Sequence, residues 1–450
     1  MPASPSTARA INDRLALTLL QQEGALTAGQ LKQLTGLSRP TVADLVERLT
    51  ASGLIAVVGE SGEQRRGPNA RLYGIVADRA CLAALDIRTE SVSVLVSDLV
   101  GRVLAEGSVP VGPEAGEAAA VEQAVALVER TATKAAASGG GRLHTVGIGA
   151  PGLIDPASGE LRDTAGLPAW HRRLVAAVQE RFPQARVSVE NETNLAALAE
   201  QREGAARDRD TFVLLWLGHG CGAAVVLDGS LRRGASGGTG EIGFLPVPGT
   251  RGLPSATDCA GGYHSLVAAA AITELAEEHG LLPAGLTGPG PAAAALVGEA
   301  VRGAGEGGEF SSGRRETGGD PSAPQAGAGP YAVCGDRRAG AAGHDGPADD
   351  RPPAPASAEA RFLDALADRV AVGVAAVVAV LDPGRVVLGG EIGAAGGDAL
   401  ATRVEERLRR MSPLATGVRA SALGGEAVLR GALLTARERA QDELFAPRER

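Results

Sequence analysis

Apolar positions at four-residue spacing open the chain: Ile11, Leu15 and Leu19 fall on one face of a helix predicted over residues 9–23. A second short helix follows. Thr27 and Gln30 stand at capping-box spacing, with Leu26 and Leu31 placed to staple its entry. After the turn at Gly36, Ser38 caps a third helix whose apolar stripe is Val42, Leu45, Val46 and Leu49, leaving Arg39, Pro40, Thr41, Asp44 and Arg48 outward. Gly53 ends it, and the apolar runs LIAVV and ARLYGIV read as two strands around the turn ESGEQRRGPN. Beyond residue 80 the period changes. CLAALDI, SVSVLVSDL and GRVLAEGSVP read as three strands, followed by a helix near residues 121–137, the strand HTVGIGA, a helix around 169–182 and the strand RVSVE. A second α/β unit starts at TFVLLWLG and resumes after an interruption with the Ala/Val-rich helix 358–381.

The first three helices and the hairpin form the pattern of a winged helix-turn-helix over residues 1–77, in which the N-terminal outward residues of the third helix meet base edges in the major groove. The candidate DNA contacts are Ser38, Arg39, Pro40, Thr41 and Arg48 on that helix and Arg65 and Arg66 on the wing, suited to phosphate contact or minor-groove insertion. Charge adds little. Residues 1–77 carry 8 Lys/Arg against 6 Asp/Glu, and the remainder 36 against 47, so affinity for DNA must come from a few placed arginines and from pairing the domain in a homodimer or a dimer of dimers.

In a chain of 450 residues, 44% hydrophobic and 2% aromatic, the cores must be built from Ala, Val and Leu. Residues 302–357 hold 13 Gly and 7 Pro and no Leu, Ile or Met, too little apolar surface to offset the entropy of ordering, so they are expected to form a disordered insertion. The cysteines Cys81, Cys221, Cys259 and Cys334 lack paired spacing, which argues against a disulfide framework. With no apolar run of signal or membrane-span length, a cytoplasmic, nucleoid-associated protein is expected.

Chemistry-bearing glycines concentrate in LGHGCGAAVVLDGSLRRGASGGTGEIGF (residues 217–244). Together with GIGAPGLIDPASG (147–159), VENETNLAALAE (189–200) and LDPGRVVLGG (381–390), this stretch resembles the ROK family of sugar kinases and repressors. The resemblance covers most of residues 81–444 and implies an α/β, two-lobed, actin-like (ribonuclease H-like) ATPase fold over residues 78–444 behind the winged helix. It also implies that family kinases begin the first lobe with Asp-x-Gly-Gly-Thr, use an Asn-Asp pair whose Asp is the general base, and hold a structural zinc. Here the matching residues are Asp86, Ile87, Arg88, Thr89 and Glu90, then Asn191 and Glu192; Phe244 stands where the family has His, and Cys259 with His264 makes at most two zinc ligands. The resulting expectation is a transcriptional regulator, a repressor, with no catalytic residues, no cofactor and no metal. Asn191, Glu192 and Glu241 would contact a sugar or sugar derivative in the cleft, and a double-stranded DNA operator would be the partner. A bifunctional sugar kinase, a regulator without a ligand and a scaffold are the rival readings.

Overall fold

The computed structural model describes residues 5–61, 70–112, 116–162, 168–250, 252–255, 260–281, 289–306 and 356–446. The N-terminal module comprises α1 (Pro5–Glu23), β1 (Leu26–Thr27), α2 (Ala28–Thr35), α3 (Arg39–Ala51), β2 (Ile55–Ser61) and β3 (Ala70–Ile75). Its caps are those the sequence predicts. Thr27 Oγ1 accepts from the Gln30 amide at 3.2 Å while Gln30 Oε1 accepts from the Thr27 amide at 2.9 Å, so each side chain satisfies an orphan donor of the other's backbone. Gly36 closes α2 at φ +69°, a conformation that costs a side-chain-bearing residue. β2 and β3 pair antiparallel from Ile55 opposite Ile75 to Ser61 opposite Ala70, and the strand order is β1-β3-β2.

One face of α1 is corrected. Ile11 and Leu15 are exposed and Leu19 is only partly buried; the buried positions are Ala16, Leu17 and Leu20. The helix rests on both α2 and α3 and on the two-lobed body, so its buried stripe is set by two neighbours rather than by its own best apolar spacing.

The body consists of two sheets with the same connectivity. In the first lobe β4 (Cys81–Ile87), β5 (Ser91–Asp98), β6 (Val103–Pro110), β7 (Leu143–Ala150) and β8 (Arg186–Asn191) lie in the order β6-β5-β4-β7-β8. The helix α4 (Glu117–Ala137) connects β6 to β7, and α5 (Trp170–Arg181) connects β7 to β8. After α6 (Glu192–Glu203) the second lobe repeats the plan with β9 (Phe212–Leu217), β10 (Cys221–Leu227) and β11 (Ser230–Arg232), then α7 (His264–Val267), α8 (Ala269–Glu278), α9 (Pro289–Glu306) and α10 (Ala358–Leu381), then β12 (Arg385–Gly389), α11 (Gly390–Met411), β13 (Gly417–Ala420) and α12 (Ala427–Leu444). Its order is β11-β10-β9-β12-β13, with the first three strands antiparallel and the last two joined in parallel, as in the first lobe.

The boundary of the Gly/Pro-rich insertion shifts. Residues 302–306 continue α9 because Val301 and Ala304 still pack on the second-lobe core, and residues 307–355 lie outside the described residues. The two sheets are tied by an exchange of helices. α6, which follows the first sheet, packs on β9 and β10, whereas α12, which follows the second, packs on β4 and β7 and against α6. The same apolar cluster runs from β4, β9 and β10 through α12 to Leu17 and Leu20 of α1, so the N-terminal module shares a core with the interlobe region.

Candidate DNA interface and ligand cleft

The outward face of α3 begins at its cap. Ser38 Oγ accepts from the Thr41 amide at 3.3 Å and the two hydroxyls are 2.8 Å apart, which fixes the first turn and leaves Arg39 and Pro40 exposed beside it. Arg39 makes no ion pair among the described residues. Arg48 departs from the outward reading. Its guanidinium is held by Asp13 at 2.5 Å and by Asp44, with Nε buried, so it fastens α3 to α1 instead of reaching outward. Arg65 and Arg66 lie outside the described residues.

The cleft is built from strand ends. β8 finishes at Asn191, which caps α6 by accepting from the amides of Thr193 at 2.9 Å and Asn194 at 3.3 Å. Its Nδ2 donates to the Gly152 carbonyl at 3.1 Å and to Glu192 Oε2 at 2.8 Å. Asn191 is thereby a positioning side chain, already satisfied, that orients Glu192. Burial pushes the Glu192 carboxyl up to about 8, with Asp86 and Glu241 adding to the effect and the Arg88 guanidinium opposing it. Glu241 stands on the GGTGEIG turn, reaches solvent, and is also raised by the protein walls around it. Two glycines of that turn are required by close approach. At Gly240, φ +90°, a Cβ would lie 1.8 Å from the Ala223 carbonyl; at Gly237, φ +81°, one would lie 2.0 Å from the Ile154 carbonyl, where the second lobe meets the GAPGLIDP turn of the first.

Several groups in the cleft escaped sequence reasoning. Glu190 accepts from Asn194 Nδ2 at 3.0 Å and binds Arg233 at 2.7 Å, joining the end of β8 to the LDGSLRRG segment. At the other corner Arg88, not the exposed Glu90, fills the space after β4. Arg88 pairs with Asp86 through Nε at 2.7 Å and Nη2 at 2.8 Å, binds Glu391 through Nη1, and sits 4.9 Å over the Trp216 ring. Asp86 and Arg88 belong to the first lobe, Trp216 and Glu391 to the second, so this cluster bridges the lobes. The acidic partner at residue 391 is separated from Arg88 by about two-thirds of the chain, and no local pattern could have found it. Phe244 is exposed at the end of the GEIGF turn, and Cys259, with the rest of the expected zinc stretch at 256–259, lies outside the described residues.

The raised Glu192 carboxyl has a testable consequence. A proton bound more tightly in the folded protein than in the unfolded chain means that stability falls as pH rises from about 4.5 to about 8. Glu192→Gln stays neutral throughout and should remove that contribution. The variant should gain about 1–2 kcal/mol over the parent at pH 8 and close to nothing at pH 5. Equal differences at both pH values, measured by urea unfolding, would refute it.

Fold and cleft together define a two-lobed sugar-kinase-type body behind a winged helix. Residues 82–280 match the ROK family model and residues 12–67 match the MarR family model, so the chain carries a ROK family domain joined to a MarR-type winged helix. It is 27% identical over 239 residues to the xylose repressor of Caldicellulosiruptor bescii, covering 53% of this chain and 59% of the repressor, so the match spans less than two thirds of that relative's length. The crystal structure of a ROK family transcriptional regulator, a homologue of the Escherichia coli MLC protein, superposes with a TM-score of 0.67 at 18% identity, covering 97% of this chain and 98% of that one. The ROK hexokinase of Thermus thermophilus superposes with a TM-score of 0.54 at 25% identity over 80% of this chain and 99% of that one. The described helices include none long and apolar enough to cross a membrane.

Proposed function

We propose that the protein is a sequence-specific DNA-binding transcriptional repressor whose interlobe cleft senses a sugar or sugar derivative and whose body does not phosphorylate it. The observation that carries this reading is continuous packing between the two sites. α6 begins in the cleft at Glu192 and packs against α12. The far end of α12 meets α1, where Gln441 Nε2 donates to Gln21 Oε1 at 2.9 Å and Asp442 pairs with Arg14. α1 in turn holds the recognition helix through Asp13 and Arg48. A ligand that favours one interlobe angle therefore has a solid path to the DNA-reading face, and the differential affinity needed is on the order of 1 to 3 kcal/mol. The xylose repressor among the relatives supports the sugar-responsive class. Arg88, held by Asp86 and Glu391, supports a body without kinase activity, since it occupies the first-lobe loop where the family kinases place glycines. A homodimer would pair two recognition helices on a double-stranded operator.

Binding to DNA tests the reading. In anisotropy titrations on the promoter of its own gene, Arg39→Ala should relax preference at one or two base pairs, each worth about 1–3 kcal/mol. Arg65→Ala with Arg66→Ala should weaken binding to all sequences and reduce the salt slope by about two. Unchanged affinity, footprint and salt slope in both proteins would refute the docking.

A further inference from the structure

The cleft is acidic, and among the described residues its guanidinium groups are already paired. Arg88 lies among Asp86, Glu192 and Glu391, and Glu241 acts on Glu192 from the facing turn. Arg233, the other guanidinium at the end of β8, is taken by Glu190. The backbone starts of the two helices at the cleft also disfavour an anion. The first amides of α6 are satisfied by the Asn191 side chain, whereas α11 has no side-chain cap but carries Glu391 in its own first turn, a negative charge placed where an anion would approach. The space at the turn after β9 is occupied as well: a Cβ at Gly218 would lie 2.4 Å from Glu391 Oε2 and 2.8 Å from Trp216 Nε1.

Building on the sugar-sensing reading, we infer that the cleft admits only an uncharged polyhydroxylated ligand and rejects its phosphorylated and carboxylated forms, with Glu391 as the specificity-determining residue. A sugar phosphate is held by unpaired guanidinium or ammonium groups or by a nest of free backbone N–H groups; here the described guanidinium groups are paired and the start of α11 carries a carboxylate of its own. A dianion placed beside Arg88 meets its charge already balanced by Asp86 and Glu391, with further carboxyls behind, and like-charge juxtaposition opposes it. Hydroxyl groups face no such barrier. A protonated Glu192 donates one hydrogen bond, and Glu241 accepts another at the mouth of the cleft.

The test is calorimetric titration of the full chain with xylose, glucose and N-acetylglucosamine, with the 6-phosphates of the last two, and with glucuronic acid. An uncharged sugar should bind, with the charged form of the same skeleton at least about tenfold weaker, which corresponds to ~1.4 kcal/mol. Glu391→Gln removes one negative charge and frees an edge of Arg88, and should narrow that ratio about three- to tenfold. Glu241→Gln serves as a second variant should the first not fold, and 0.5 M salt on the unmodified protein should also narrow the ratio by screening. A 6-phosphate binding as tightly as its parent sugar, or a ratio unmoved by the substitutions and by salt, overturns the inference while leaving a sugar sensor in place. Binding of neither form overturns both the inference and the sensing reading beneath it.

Discussion

Replacing Glu200 by alanine is expected to produce the largest loss of stability of any single polar substitution in the body. The carboxylate is completely buried on the last turn of α6, with no cation among its described partners, and is satisfied by donors alone. Ala205 donates its amide at 2.6 Å, Leu423 at 3.0 Å and Ala422 at 3.3 Å, and the Ser421 hydroxyl adds another hydrogen bond. Residues 421–423 follow β13, so one side chain fastens the turn after the second-lobe sheet to the helix that leaves the first lobe. Truncation leaves those donors buried and unpaired, at a cost of about 3–5 kcal/mol. With a urea slope of about 3 kcal/mol/M, the midpoint should fall by roughly 1 M or more. Glu200→Gln keeps the volume but turns an amide NH₂ toward N–H donors, so it should be intermediate rather than neutral. A midpoint within about 0.2 M of the parent for Glu200→Ala would show that the turn after β13 re-pairs its amides with water.

Legibility in the sequence followed the range of the interactions. Caps and short-period stripes are local, so the capping box at Thr27, the Ser38 cap, the stripe of α3, the strands of the first lobe and β9 of the second could be read directly. α1 could not, because two neighbours select Ala16, Leu17 and Leu20 over the more regular Ile11 and Leu15. Arg48 illustrates the same limit on a recognition helix: an outward position three turns in is free for DNA only if no other helix supplies a carboxylate, and Asp13 does. In the cleft, Asn191, Glu192 and Glu241 are carried by contiguous motifs, whereas Arg88 with Glu391 and Glu190 with Arg233 exist only once the lobes close on each other. The departure at Asp86–Glu90 was visible as missing glycines. That the arginine rather than Glu90 would fill the corner depends on Trp216 and Glu391 from the other lobe.

The close crossing of α6 and α12 leads to the second large effect. A Cβ on Gly431 would lie 2.0 Å from the Leu195 carbonyl oxygen and 2.5 Å from its carbon, both backbone atoms that cannot rotate away. On its other side α12 is pressed against β7, where a Cβ on Gly147 would meet the Ala432 carbonyl at 2.5 Å. The helix therefore has little freedom to back away from α6 without disturbing the first sheet. Gly431→Ala should cost about 1–3 kcal/mol from overpacking, less the few tenths to 1 kcal/mol that alanine returns through helix propensity. The functional consequence is the more telling one. Displacement of α12 moves Gln441 and Asp442 relative to Gln21 and Arg14, so the coupling between cleft and recognition helix should change while the residues that contact sugar and DNA remain intact. On the proposed function, the variant should bind an uncharged sugar and operator DNA separately, with the ratio of DNA affinities with and without sugar altered by fivefold or more, the lower end of typical allosteric coupling. The same substitution at Gly425, where a Cβ meets nothing within 4 Å, serves as the control and should leave both stability and ratio at parental values. A Gly431→Ala protein whose melting temperature and sugar response both match the parent would mean that the signal does not pass through α12.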